Sequence, residues 1–232
     1  AKMDKIKVMV SSTVKDLIGE RQCIEDTLSK LEFVEIVGAA PYAMTSVSLS
    51  SAQNTKLLAQ NCDLYILILG KRFGMERPDG KSATEIEFDA AYHSDPTKIL
   101  VFLKESDEEA DAKQIAFINR VCDYYNGYWR TTFEHTYQLQ ELVMNSFVAW
   151  LKERASLGNS MTYLDHFIRF AVQKKPEPNA QVYYSVKESY VEMEYHFMGK
   201  VKVMHYNKEQ IYNNFWGCLY LSLIHISEPT RL

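Results

Sequence analysis

No stretch of this sequence reaches the roughly 18 consecutive apolar residues that would cross a bilayer as a helix. No secretory leader is visible, because the N-terminus runs straight into a strand-like segment. Cysteine is sparse and unpatterned. Cys23, Cys62, Cys122 and Cys218 form no CxxC pair, which argues against zinc and for free thiols in a reducing cytoplasm. Basic charge is not in excess: the formal net charge is −4, which gives no footing for direct nucleic-acid binding. None of the 6 histidines has a serine or cysteine at triad spacing. Internal repeats and low-complexity tracts are absent. What is present, 47% hydrophobic and 24% charged residues over 232, is an ordinary globular composition. The length suits one large domain, or one with a small companion.

The stretch from Asn61 to Lys104 organises the rest. Leu64–Leu69 is a continuous apolar run closed by Gly70, which predicts a buried strand of a parallel sheet. Gly70 and Gly74 bracket Lys71, Arg72 and Phe73. Ala83–Ala91 predicts a helix with Glu85 in its first turn, and Ile99–Leu103 a second buried strand. Ligands of open α/β sheets sit at the carboxyl ends of strands, where Gly70, Arg72, Gly74 and Glu85 fall.

Around it, Ile6–Val10 and Phe33–Val37 predict further strands, and Asp16–Leu31 and Ser48–Gln60 helices. A helix over Asp107–Tyr125, a short strand over Tyr128–Phe133 and a long helix over Thr136–Ala155 follow. This alternation predicts an open parallel sheet of four to five strands covered by helices on both faces. Beyond a joint at Gly158-Asn159-Ser160 the character changes. Met161–Val172 reads as a helix and Lys174–Ala180 as a linker. Val182–Val186, Tyr190–Phe197 and Lys200–Tyr206 alternate as antiparallel strands, with a hairpin at Met198-Gly199. The meander is expected to continue through Ile211–Tyr220. Leu221–Arg231 matches the translation of a sequencing-library adapter, so 221–232 is expected to be a foreign tail and the natural chain to be cut near Tyr220. Ala1-Lys2 precede Met3 and are expected to lie outside the natural start. The expected organisation is an α/β domain over 1–156, a helix with an incomplete β meander over 157–220, and the tail.

Several residues at the sheet edge could carry chemistry. Ser11, Ser12 and Thr13 offer hydroxyls and N–H groups where the first strand ends. Gly70 and Gly74 would let backbone approach a phosphate or ribose, with Lys71 and Phe73 between them, and Arg72 could clamp a phosphate. Glu85 at a helix start is favoured as an anion, which suits a nucleophile or an electrostatic stabiliser of an oxocarbenium-like state. Bland readings stand beside these. Thr84 could be an N-cap with Glu85 and Glu87 as first-turn charges, and Gly70–Gly74 a tight loop.

Taken together, KVMVSSTVKDLIGER, CDLYILILGKRFG, SATEIEFDAAY and KILVFLK resemble the bacterial family catalogued as domain of unknown function 4062, over about Lys5 to Ala155. That family is similar to Toll/interleukin-1 receptor (TIR) domains and to nucleoside 2-deoxyribosyltransferases, and its members often open antiphage or signalling proteins. The resemblance, with the connection rules, implies a TIR-like or flavodoxin-like sheet in order 2-1-3-4, with Tyr128–Phe133 outermost. It places Glu85 on the transferase nucleophile, or on the glutamate that TIR-like hydrolases set beside the ribose. Glu87 stands where the transferases have glycine, which disfavours a salvage transferase. The resulting expectation is a nucleotide-binding domain cleaving the nicotinamide–ribose bond of NAD in antiphage defence. NAD enters as substrate, with no cofactor and no metal. The alternatives are a non-catalytic nucleotide-sensing or self-association module and a deoxyribosyltransferase. Glu85 is expected to face a cleft lined by Ser11, Gly70 and Arg72, with Glu87 pointing elsewhere, about 200° around the helix.

Overall fold

The computed structural model describes residues 4–38, 50–124, 126–157, 162–175, 177 and 179–220. The chain resolves into two compact units, Ala1–Asp123 with Tyr128–Glu153, and Tyr124–Gly127 with Arg154–Leu232. The expected joint at Gly158–Ser160 and the tail over 221–232 lie outside the described residues.

The first unit is an open α/β sheet. Its strands are β1 (Ile6–Ser11), β2 (Val34–Val37), β3 (Leu64–Leu69), β4 (Ile99–Lys104) and β5 (Arg130–Phe133). They lie in the order β2-β1-β3-β4-β5, all parallel, as the alternation of strands and helices predicts. All six residues of β3 are buried, so the continuous apolar run has an apolar layer on each side. On one face Val8, Val10, Ile66 and Ile68 pack with Leu17 and with Ile24 of α1 (Ile18–Leu28), and with Val143 and Phe147 of α5 (Leu139–Leu157). On the other, Met9, Tyr65, Leu67 and Leu69 pack against Ala59 of α2 (Ser51–Asn61), Phe88 of α3 (Ala83–Ser94) and Phe117 of α4 (Ala112–Val121). Each of the valine, leucine, isoleucine, methionine and phenylalanine side chains among these contributes about 1.5–3 kcal/mol when fully buried.

Two buried charges brace this unit. Lys98 Nζ donates to the carbonyls of Gln60 and Cys62 at 2.7 and 3.1 Å, satisfying the end of α2. Glu20 accepts from Lys104 Nζ at 2.7 Å and from Thr136 Oγ1 at 2.9 Å, joining α1, the end of β4 and the turn before α5. Burial works against the Glu20 charge. The bonds from Lys104, its own backbone and Thr136 outweigh it and hold the pKa below the ordinary value.

Several expected boundaries move, each for a local reason. The helix expected from Asp107 starts at Ala112, because the Asp111 side chain accepts from Lys113 N–H at 2.8 Å and caps it there. It ends at Val121 rather than Tyr125. The helix expected from Thr136 opens with a tighter turn over Thr136–Gln138 and becomes α-helical at Leu139.

The second unit carries α6 (Tyr163–Gln173) and a three-stranded antiparallel sheet, β6 (Gln181–Val186), β7 (Tyr190–Phe197) and β8 (Lys200–Asn207). Met198 and Gly199 both take positive φ, 49° and 74°, which is the mirror-image turn that a two-residue hairpin needs. The meander does not continue into Ile211–Tyr220 as expected. α7 (Lys208–Asn213) and a further helical stretch over 215–220 replace it. Ile211, Phe215 and Leu219 are buried at four-residue intervals, a helical period that the surrounding aromatics obscure in the sequence.

Candidate functional site

The carboxyl ends of β1 and β3 lie side by side, at the point where the strand order reverses. The segment after β1 presses on the segment after β3. A Cβ added at Gly70 would stand 3.1 Å from Asp16 Oδ2 and 3.2 Å from Leu17 Cδ1. One at Gly74, whose φ is +86°, would stand 3.0 Å from Thr13 Cγ2. A side chain at either position would push its neighbour aside, and the positive φ at Gly74 favours glycine for the backbone as well.

The loop is also tied to α4. Gln114 Nε2 donates to the Gly70 carbonyl at 2.9 Å, and Asp111 N–H to that of Lys71 at 3.1 Å. Phe73 is consequently buried against the α4 side, whereas Arg72 is exposed. Further on, a bridge between Glu76 and Ser82 closes a turn that presents Asp79, Gly80 and Lys81.

Ser82, not Thr84, caps α3. Its hydroxyl accepts from Glu85 N–H at 3.1 Å, and Glu85 Oε2 accepts from Ser82 N–H at 3.1 Å. Ser82-x-x-Glu85 is the capping-box spacing, legible in the sequence. The other Glu85 oxygen faces Arg120 of α4 at 3.4 Å. Arg120 is bonded more closely to Asp89 at 2.6 Å, and its guanidinium lies 5.5 and 5.3 Å from the Phe88 and Phe117 ring centroids. Lys81 reaches Asp89 at 2.7 Å and Lys113 reaches Glu76 at 2.6 Å. Beside these pairs lies an open cavity of about 280 Å³ lined by Phe73, Lys81, Glu85, Lys113, Phe117 and Arg120, with Asp79, Gly80 and Ala116 completing the wall.

The expected cleft shared by Glu85, Ser11, Gly70 and Arg72 is not formed. Ser11, wholly buried, donates to Glu87 Oε2 at 2.6 Å. The two glutamates do diverge around α3 as their spacing predicts, but it is Glu87 that faces β1 and Glu85 that faces α4. Burial raises the Glu87 pKa although Ser11, Thr55 and Arg21 counteract it. Beside this pair the Tyr65 hydroxyl is also buried, next to Ser11; burial and then the Glu87 charge push its pKa well up, against a smaller opposing effect of Ser11. Of the remaining expected residues, Ser12 is buried and donates to the Thr13 carbonyl at 3.0 Å, and Thr13 Oγ1 is buried without a bond. Phe73 is the expected ligand-binding residue that shares the cavity with Glu85.

Sequence reasoning missed Lys81, Lys113, Phe117 and Arg120. The last three sit at i, i+4 and i+7 on α4 and so share one face, a signal that was present but had nothing to point at without the fold. Among the described residues no group of three or more His, Cys, Asp or Glu could hold a metal ion, and no helix is long and apolar enough to cross a membrane.

The family described as "Domain of unknown function (DUF4062)" matches residues 7–148. No curated protein matches the chain. Among solved structures, a CMP N-glycosidase from Clostridium botulinum, BcmB, is similar at 14% identity and a TM-score of 0.39, covering 60% of this chain and 98% of its own. The metal-soaked Flv1 flavodiiron core from Synechocystis is similar at 13% identity and a TM-score of 0.36, covering 68% of this chain and 38% of its own. At these scores neither likeness bears on what the site does.

Proposed function

This chain belongs to the family described as Domain of unknown function (DUF4062), and we propose that its first unit binds a nucleotide and cleaves an N-glycosidic bond, with the nicotinamide–ribose bond of NAD as the substrate bond. The observation that carries the reading is the Glu85 carboxylate standing in one cavity with two aromatic rings and three cations. At about 280 Å³ the cavity sits just below the ~300–1,000 Å³ of ordinary ligand pockets, so it suits a base with its ribose and leaves the remainder of a dinucleotide outside. Phe73 and Phe117, both buried, form the apolar back of the cavity, and Glu85 faces the positive charge that develops on the sugar.

The lining also selects among substrates. Its nitrogen donors for a departing base are Lys81 and Lys113, both held as ammonium groups in ion pairs, with no histidine among the lining residues. A ribosyl pyridinium needs no proton donor. As the C1′–N bond breaks, the electron pair moves to the pyridine nitrogen and cancels its positive charge. Water then forms the new C1′–O bond and releases a proton to solvent. A neutral purine would require a proton, which sets the deoxyribosyltransferase reading behind this one. A nucleotide-sensing or self-association module is the second reading. It is favoured by the Ser82 and Arg120 bonds that engage both Glu85 oxygens. The place of either in cytoplasmic antiphage defence rests on the motif resemblance and is part of the proposal.

Incubating the protein with NAD should release free nicotinamide. Glutamine also completes a capping box, so Glu85→Gln should keep the helix and melting temperature while removing the charge. Turnover should fall by roughly 100-fold or more. Glu87→Gln should change it far less. A Glu85→Gln protein as active as the parent would sink the assignment, and NAD binding without cleavage in the parent would favour the sensing module.

A further inference from the structure

Three cations line the cavity, and their partners separate them. Arg120 is engaged by two carboxylates and by two ring faces, so its work is to hold Glu85 and Asp89 in place. Lys81 pairs with Asp89, which Arg120 also grips and whose side chain is only 18% exposed. That carboxylate cannot leave without stranding a cation. Lys113 differs. It pairs at 2.6 Å with Glu76, and both side chains are about half exposed, at 52% and 47%. A pair this wet is easily exchanged, because each charge can return to water. Lys113 Nζ also stands 5.9 Å from the centroid of the Phe73 ring, at the back wall of the cavity.

We infer that Lys113 is the residue that reads the 5′-phosphate of the bound nucleotide, which displaces Glu76 from it, so that the cavity takes phosphorylated ribosyl pyridinium compounds and discriminates against the bare nucleoside. This rests on the reading of the cavity as a nucleotide site, but not on cleavage. The three cations of the wall face Asp79, Glu85 and the Asp89 that Lys81 and Arg120 share, so when Glu76 swings away the charges balance and Lys113 is the cation left to meet the phosphate. Glu76 then acts as an internal competitor, holding Lys113 in place until an anion arrives.

Equilibrium binding separates this from catalysis. The full chain carrying Glu85→Gln, to suppress turnover, is titrated with nicotinamide mononucleotide and with nicotinamide riboside. The mononucleotide should bind about tenfold or more tightly, and the ratio should shrink as salt rises. Adding Lys113→Gln should bring the ratio close to one through weaker mononucleotide binding, with riboside binding unchanged. Lys113→Arg should restore much of the preference, and Glu76→Gln should raise mononucleotide affinity. A ratio that survives Lys113→Gln, equal binding of the two ligands, or binding of neither at millimolar concentration overturns the inference. A parent that never releases nicotinamide but keeps the Lys113-dependent ratio would remove the cleavage reading and support this one.

Discussion

Glu85 and Glu87 are two residues apart on one helix, yet their surroundings differ in kind. Glu85 is paired with a guanidinium and a backbone N–H at a cavity wall. Glu87 is pressed into the layer between α3 and β1, where a short bond from Ser11, helped by Thr55 and Arg21, is set against burial. Burial wins, and the Glu87 pKa rises. The consequence for stability has a definite sign. The folded chain favours the protonated form, so this contribution is fully present below the ordinary glutamate pKa and is lost as pH rises through the folded value. Glu87→Gln presents a carbonyl to Ser11 without a charge to bury. It should therefore raise the melting temperature at pH 7.5, with the gain disappearing near pH 4. Equal melting curves at both pH values would show that Glu87 is solvated after all. Sequence reasoning placed the two carboxylates on opposite sides of α3, but it could not say which side faced Ser11. That depends on how α3 is rolled against the sheet, which Phe88, Ala90 and Ala91 decide by packing under it.

At the scale of elements, α3 is the part on which both carboxylates depend, and its start is fixed by the reciprocal Ser82–Glu85 bonds. Ser82 is 2% exposed, so its removal leaves the Glu85 N–H without a partner in a place water reaches poorly. Ser82→Ala should cost about 1–2 kcal/mol of unfolding free energy in a urea titration, and Ser82→Asp should recover most of it. A cost near zero would mean that the cap is idle. The same contrast explains what the sequence revealed. Strands β1, β3 and β4 were legible because a strand covered on both faces must be apolar throughout. The β7–β8 hairpin was legible because it alternates and turns at Met198-Gly199. Helix starts were less so, since Asp111 and Ser82 act as caps among several hydroxyl and acidic residues of equal promise. The cavity was half legible. Phe73 and Glu85 come from the glycine loop and the helix after it, but Arg120 lies 35 residues beyond Glu85 and reaches it only through the folded sheet.

At the scale of the molecule, the two layers of the first unit are assembled, among the described residues, from positions between Ile6 and Leu151. The pair of Glu20 with Lys104 and Thr136 likewise closes within it. The buried aromatics of the second unit, Phe167, Phe170, Tyr206 and Phe215, meet edge-to-face at 5.2–6.1 Å and supply a core of their own. A domain of about 150 residues buries roughly 70% of the surface of its unfolded chain, which is ample for independent folding. A fragment of residues 1–157 should therefore fold alone. Its thermal transition should be single and cooperative, with an unfolding enthalpy near ~0.7 kcal/mol per residue, about 110 kcal/mol in all. Because the described lining of the cavity around Glu85 comes from residues 73–120, the fragment should also bind nicotinamide mononucleotide as the full chain does. A broad transition of low enthalpy would show that the sheet needs the second unit to complete its core. A sharp transition with lost binding would place part of the ligand site outside the first unit.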